Sequence, residues 1–207
     1  LHEAEEGDDE VMFVQLTKEQ KRLRFKQTIA WGQLHRLMVD AGLLVAHADG
    51  SCTVAVERAA AMLCLTAIHD IMKLEALLPV VCKEHAPYRG RAAGERIVDH
   101  DEALGYVLDH DGAALPCFSA LSAAQQKPIR FTQSKMGFNH GWLVQAEAPP
   151  GALFGKFKAA IATDGVAASD VAFYFVHWLT DLAGAVPSPL EGSEKFVLKF
   201  PQPVLGS

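Results

Sequence analysis

The chain has 207 residues, half of them hydrophobic, and a formal net charge of -6 at pH 7. This length and apolar content are enough to bury one sizeable core, so we expect a globular protein. The 19 basic residues are scattered rather than gathered into a stripe that could neutralise a phosphate backbone, so no nucleic-acid partner is expected. The sequence has no run of about 18 apolar residues, so we do not expect a membrane partner either.

The organisation of the chain favours a single domain. Residues 1–12 are rich in Glu and Asp, which predicts a flexible acidic tail, and residues 13–207 show neither an internal repeat nor a low-complexity linker. The four cysteines have no Cys-x-x-Cys spacing and are expected to be reduced thiols, which favours a cytoplasmic location. Because the chain starts at Leu1 and not at methionine, we expect it to be part of a longer protein. A homo-oligomer is the other partner arrangement that stays open.

The first predicted elements are two long helices. Thr17-Lys18-Glu19-Gln20 has the form of a capping box and opens a helical pattern that continues to about Val45. A turn is predicted over 48–51. From Val54 to about Lys83 the pattern is helical again and apolar on most faces, which places this helix at the centre of a bundle.

Shorter helices and loops are predicted after this central helix. A loop over 85–94 precedes a helix from Asp101 to about Leu108, and a second short helix runs from Ser119 to Gln126 and ends before Pro128. Residues 138–147 are compatible with a helix or an apolar loop.

The last part of the chain predicts two further helices, over 153–161 and 170–183, the second capped by Ser169. Residues 196–200 alternate in polarity, as a strand or an extended segment does. The sequence therefore predicts an all-α fold, a helical bundle with irregular loops and an extended C-terminal tail.

Two polar residues, His69 and Asp70, interrupt the predicted central helix. On a helix they point about 100° apart, so both can reach one ion that lies over this part of the helix. Burial of Asp70 in such an apolar run is unfavourable unless its charge is compensated, and a divalent cation is one such compensation. The same residues could instead cap a helix end or meet an arginine, and their spacing alone leaves both interpretations open.

The stretch Ala67-Ile68-His69-Asp70-Ile71-Met72-Lys73 resembles the hallmark of the HD superfamily, in which apolar residues precede His-Asp and Ile-Gly-Lys usually follows. Met72 stands here where glycine is common. The resemblance implies a helical bundle whose metal ligands are a histidine, the His-Asp pair and a late aspartate. In this chain it implies His35 as the first histidine and Asp181 as the last aspartate.

Several of these residues have a second interpretation. His35 also fits a surface histidine, and Asp181, one helical turn after the further candidate ligand His177, also fits a solvent-facing ion pair with it. In HD proteins with two metals, histidines from the middle of the chain complete the second site. The resemblance implies His100 and His140 for that role.

The resemblance implies a metal-dependent phosphohydrolase or phosphodiesterase acting on a nucleotide or a small phosphate ester. Its cofactor would be a divalent ion, Zn, Mn, Mg or Fe, that lowers the pKa of a bound water and polarises a phosphoryl oxygen. Asp70 and Lys73 are then the catalytic candidates, with Lys73 neutralising a substrate phosphate. Two alternatives stay open: an HD-fold di-iron oxygenase, which uses more histidines, and a non-catalytic HD-like regulatory or interaction module.

Overall fold

The computed structural model of the chain describes residues 17–28, 30–136, 155, 158–162 and 165–184. Within these residues the regular structure is helical apart from one small antiparallel hairpin, so the fold is all-α with irregular loops, as the sequence predicts. Three predicted segments lie outside the described residues: the acidic tail at 1–12, the helix or loop at 138–147 and the extended segment at 196–200.

Contacts divide the chain into two units, one formed by Leu1–Gln33 with Leu179–Ser207 and the other by Leu34–Trp178. The first unit contains helix α1, Lys18–Thr28. The predicted capping box opens this helix, because Gln20 N donates to Thr17 Oγ1 at 3.2 Å and Thr17 N donates to Gln20 Oε1 at 2.9 Å. The prediction of one domain over 13–207 stays a prediction.

The predicted single helix through Val45 is wrong. A second helix, α2 (Trp31–Asp40), ends just before Gly42, which has the left-handed backbone conformation with a φ of 70°. The N–H groups of Gly42 and Leu43 donate to carbonyl groups in the last turn of α2, the Schellman arrangement that closes a helix on a glycine. The chain is thereby turned away from the helix axis, and Val45 lies in a strand.

A two-stranded antiparallel hairpin follows α2. Strand β1 (Leu44–Ala46) pairs with β2 (Cys52–Val54), and the turn predicted at 48–51 connects them. The Asp49 carboxylate accepts hydrogen bonds from the Ser51 N–H at 2.9 Å and the Ser51 hydroxyl at 2.6 Å, which stabilises the turn.

Helix α3 (Val56–Ile68) is the central helix of the second unit, but it is shorter than predicted. It ends at Ile68 and two short 3₁₀ turns, Ile71–Lys73 and Glu75–Leu77, follow it, so the predicted extension to Lys83 is wrong. The His69 ring nitrogen Nδ1 bonds the carbonyl of Thr66, which satisfies one of the unpaired carbonyls at the helix end. His69 and Asp70 therefore follow the helix instead of interrupting it.

The next helices are α4 (His100–His110), α5 (Pro116–Ser119) and α6 (Ala123–Arg130). The first confirms the helix predicted from Asp101, and the Asp99 carboxylate caps it by accepting from Glu102 N at 2.9 Å.

The prediction that Pro128 ends its helix is wrong. Pro128 lies inside α6, and the chain continues into a single π turn, Phe131–Lys135. A proline removes one N–H donor from the helix, but the helix continues past Pro128, and the N–H of Phe131 donates to the carbonyl groups of Lys127 and Pro128.

The last described helix, α7 (Ala168–Gly184), begins before the predicted cap Ser169, which lies within it, so the predicted cap is wrong. Of the predicted helix over 153–161, residues 155 and 158–161 are described, and all of them are helical. In the unit Leu34–Trp178 the core is formed by α3, α4, α6 and the first part of α7, with fully buried side chains such as Leu65, Leu104, Ile129 and Phe173. None of the described helices combines the length and hydropathy needed to span a membrane.

Candidate metal centre

His69 is oriented by the end of α3. Its Nδ1 lies 2.8 Å from the carbonyl oxygen of Thr66. Because a carbonyl oxygen only accepts hydrogen bonds, Nδ1 carries the proton, and in the neutral ring Nε2 then keeps its lone pair. Metal-binding histidines in proteins are held in this way, with one ring nitrogen donating to an oxygen and the other directed at the ion.

Asp70 is close to three nitrogen-bearing side chains. Its Oδ2 is 2.7 Å from Lys73 Nζ and 3.6 Å from His69 Nε2, and its Oδ1 is 3.8 Å from His100 Nε2. The carboxylate is 44% exposed, so the expectation that Asp70 is buried in an apolar run is wrong, because the residue lies beyond the helix end. Lys73 is the counter-ion of Asp70. The partial burial of Asp70 therefore does not by itself require a metal ion to compensate the carboxylate charge.

His177 lies in α7 with its side chain buried, being 6% exposed. Its ring meets that of His69 edge to face, with centroids 5.2 Å apart and planes at 77°. The interpretation of His177 as a member of a solvent-facing ion pair is therefore wrong. Asp181 follows one helical turn later, and residues i and i+4 lie on the same side of a helix, so Asp181 extends the side of α7 on which His177 lies.

His69 and Asp70 form the metal-ligand group of the candidate site, within the unit Leu34–Trp178. His69 Nε2 and Asp70 Oδ2 lie 3.6 Å apart, so an imidazole nitrogen and a carboxylate oxygen are next to each other. Imidazole and carboxylate ligands suit Zn, Mn or Fe. The predicted ligand Asp181 belongs to the other unit, and its ligand role stays a prediction.

Of the other predicted ligands, His100 borders this group and His35 is not a member of it. His100 is the first residue of α4, and its Nε2 is 3.8 Å from Asp70 Oδ1 and 3.8 Å from Asp101 Oδ1. His35 instead places its Nε2 3.1 Å from the Cys52 thiol. His140 lies outside the described residues.

Two contributions to this region were missed by the sequence reasoning. The Thr66 carbonyl orients His69, and no residue type signals it because every residue carries a carbonyl. Asp101 lies beside His100 and accepts a hydrogen bond from Gln133 Nε2 at 3.1 Å. The adjacency of His100 and Asp101 was visible in the sequence, but the link to Gln133 depends on how α4 packs against the π turn.

Comparison with protein-family models, with curated proteins and with solved structures gives no match. The site alone therefore carries the functional proposal. Its residues combine an oriented imidazole, a carboxylate and a lysine beside that carboxylate. This set of side chains can bind a cation and an anion next to each other.

Proposed function

We propose that the protein is an HD-superfamily-like, metal-dependent phosphohydrolase or phosphodiesterase that acts on a nucleotide or another small phosphate ester. The observation that carries the proposal is the pairing of His69, held by the Thr66 carbonyl, with Asp70, whose Oδ2 lies 3.6 Å from His69 Nε2. Nitrogen and oxygen donors of this kind fit a divalent ion. Such an ion, when bound, supplies an activated water and a positive charge for a phosphoryl oxygen.

The orientation of His69 supports a ligand role. The hydrogen bond between Nδ1 and the Thr66 carbonyl fixes the ring with Nε2 on the Asp70 side, where the Nε2 to Oδ2 distance is 3.6 Å. A ring already held in place loses little conformational entropy when it binds an ion. Asp70 adds a negative charge that compensates part of the charge of a divalent cation.

Lys73 supports a phosphate ester as the substrate. Its Nζ is 2.7 Å from Asp70 Oδ2, and its side chain is more than half exposed. A cation bound at Asp70 would compensate the charge of this carboxylate, and the ammonium group of Lys73 would then be placed to bind a phosphate oxygen as a point charge. The anion-binding group is thus next to the cation ligands, as cleavage of a phosphate ester requires.

One contact pattern favours a second candidate, a di-iron oxygenase. His100 lies 3.8 Å from Asp70, and the ring of His177 lies against that of His69, so two further imidazoles border the group. Additional nitrogen ligands stabilise iron more than they stabilise magnesium. Iron in the purified protein, with a charge-transfer band in the visible or near-ultraviolet, would support this candidate over the hydrolase.

The hydrolase proposal is tested with 4-nitrophenyl phosphate and bis(4-nitrophenyl) phosphate in the presence of Zn²⁺, Mn²⁺ or Mg²⁺. We expect release of nitrophenol by the wild-type chain and a loss of kcat/KM of at least about 100-fold in Asp70→Asn, because a ligand contributes no less than the groups that orient it. His35→Ala is the matched control and should keep its activity, since His35 is not in the group.

Two results would contradict the hydrolase. Equal ester cleavage by Asp70→Asn and the wild type would place the chemistry elsewhere. Metal binding at His69 and Asp70 without turnover of either ester or a panel of nucleotides would instead support the non-catalytic regulatory or interaction module.

A further inference from the structure

A second pair of chemically reactive side chains lies on α2 and the hairpin. His35 Nε2 is 3.1 Å from Cys52 Sγ, which is hydrogen-bond distance for a thiol and an imidazole. Both side chains are exposed, so small molecules in solution can reach them. Neither residue belongs to the group of His69 and Asp70.

The backbone between the two residues holds them in this arrangement. The left-handed Gly42 ends α2 and sends the chain directly into β1. Cys52 then pairs with Ala46 across the hairpin, and Ala55 N donates to Leu43 O at 2.9 Å where the hairpin leads into α3. The contact between His35 and Cys52 is thus built from short-range hydrogen-bonded connections within 17 residues of chain.

A thiol next to an imidazole has a defined chemical use. The thiolate and not the thiol is the nucleophile, and an imidazole nitrogen at hydrogen-bond distance can accept the thiol proton. With the proton on His35, the pair consists of a thiolate and an imidazolium. This is the arrangement that activates cysteine for attack on sulfur or carbon electrophiles.

The other three cysteines have different surroundings. Burial and the neighbouring Cys117 thiol raise the pKa of Cys64 to about 12, so Cys64 stays protonated at neutral pH. Cys117 is a free, exposed thiol that neighbours Cys64, and the exposed thiol of Cys82 lies 3.9 Å from the carbonyl oxygen of Val80. They therefore serve as internal standards for the reactivity of Cys52.

We propose that Cys52 is a modification site that forms a mixed disulfide with small-molecule disulfides, with His35 as the acceptor of its proton. The Cys52 sulfur attacks one sulfur of the small disulfide, a new S–S bond forms and the original S–S bond breaks. The other half leaves as a thiolate and takes the proton from the His35 imidazolium. Cys52 is oxidised and the leaving sulfur is reduced, so no further oxidant is needed.

The test uses oxidised glutathione as the disulfide and peptide mass spectrometry to follow each cysteine separately. We expect Cys52 to be glutathionylated about tenfold faster than Cys82 or Cys117 at neutral pH. His35→Ala should lower the rate at Cys52 to that of Cys82.

Two controls separate this inference from the proposed function. Cys52→Ser should abolish the fast phase and leave the other modifications unchanged. Asp70→Asn should leave the rate at Cys52 unchanged, because the pair does not use the metal ligands. Modification of Cys82 or Cys117 as fast as that of Cys52, or an unchanged rate at Cys52 in His35→Ala, would overturn the inference.

Discussion

The imidazole rings of His69 and His177 meet edge to face, with their centroids 5.2 Å apart. His69 follows α3 and His177 lies in α7, so the contact joins segments that are distant in the sequence. His177 is buried, and His69 has its Nδ1 bonded to the Thr66 carbonyl. The contact packs the part of α7 that contains His177 against the end of α3. The candidate metal centre lies at this end of α3.

The burial of α3 is tested by two leucines that differ in exposure but not in chemistry. Leu65 is fully buried, whereas Leu63 is 71% exposed. We expect Leu65→Ala to lower the free energy of unfolding by about 2–5 kcal/mol, because it leaves a cavity in the core. Leu63→Ala should change it by less than about 0.5 kcal/mol.

Urea denaturation followed by circular dichroism measures both free energies. Equal losses in the two variants would contradict the burial pattern of α3. They would favour instead a helix that is apolar and buried on all sides, which is what its sequence predicts.

The buried carboxylate of Asp170 gives a second test. Asp170 is 3% exposed, and its Oδ1 accepts from Arg58 Nη2 at 3.0 Å, while its Oδ2 is 3.7 Å from the exposed Lys127 Nζ. Arg58 also lies over the Phe173 ring, 4.6 Å from its centroid. Arg58→Ala should destabilise the fold by about 3–5 kcal/mol, because it leaves a buried charge without its main partner.

Lys127→Ala is the control, since it removes an exposed cation from the same carboxylate. It should lower the free energy of unfolding by no more than about 1 kcal/mol. A larger loss in Lys127→Ala than in Arg58→Ala, measured by urea denaturation, would show that Arg58 is not the principal partner.

The pH dependence of stability is expected to involve His110. Burial and the imidazole of His85, whose ring is stacked on it at a centroid distance of 3.9 Å, lower the pKa of His110 below its usual 6.5. The nearby Asp109 raises this pKa and Arg130 lowers it further, so the net direction is downward. The unfolded chain therefore binds a proton at His110 at a higher pH than the folded protein does.

This difference stabilises the folded state above the unfolded pKa of 6.5. The stabilisation is lost as the pH falls from that value through the folded pKa. His110→Gln should reduce the loss of stability between about pH 7 and about pH 5. Proton NMR titration of the His110 ring measures the folded pKa directly, and a value above 6.5 would contradict a downward shift of this pKa on folding.

Local signals in the sequence predicted several helix starts correctly. The capping box at Thr17 and Gln20 forms as expected, and the helix predicted from Asp101 exists with Asp99 as its cap. Such signals act between residues three apart, so they can be recognised without knowledge of the tertiary structure.

Helix ends were predicted less well. Gly42 was visible in the sequence as a possible C-terminal signal, but the apolar residues after it continued the helical pattern. The end of α3 depends on the Thr66 carbonyl and the His69 ring, a contact between a backbone group and a side chain that residue types do not reveal. The predictions for both long helices were therefore too long.

The candidate site was predicted in part. His69 and Asp70 lie side by side, and His100 and His177 border them. His35 was proposed from its place on an early helix, but its partner is Cys52, because the hairpin after α2 brings that thiol to it. The two strands of this hairpin have three residues each. A segment this short shows no clear alternation of polar and apolar residues, so the hairpin was not recognised between two predicted helices.

The most direct test of the metal centre is the metal content of the purified protein, measured by elemental analysis in the wild type and two histidine variants. We predict about one or two equivalents of a divalent metal in the wild type and in His35→Ala, with most of it lost in His69→Ala. The two variants remove the same ring from the same chain, and they differ only in whether that ring belongs to the metal-ligand group. A wild type without metal after incubation with Zn²⁺, Mn²⁺, Mg²⁺ and Fe²⁺, or equal metal content in His69→Ala and the wild type, would contradict the metal centre.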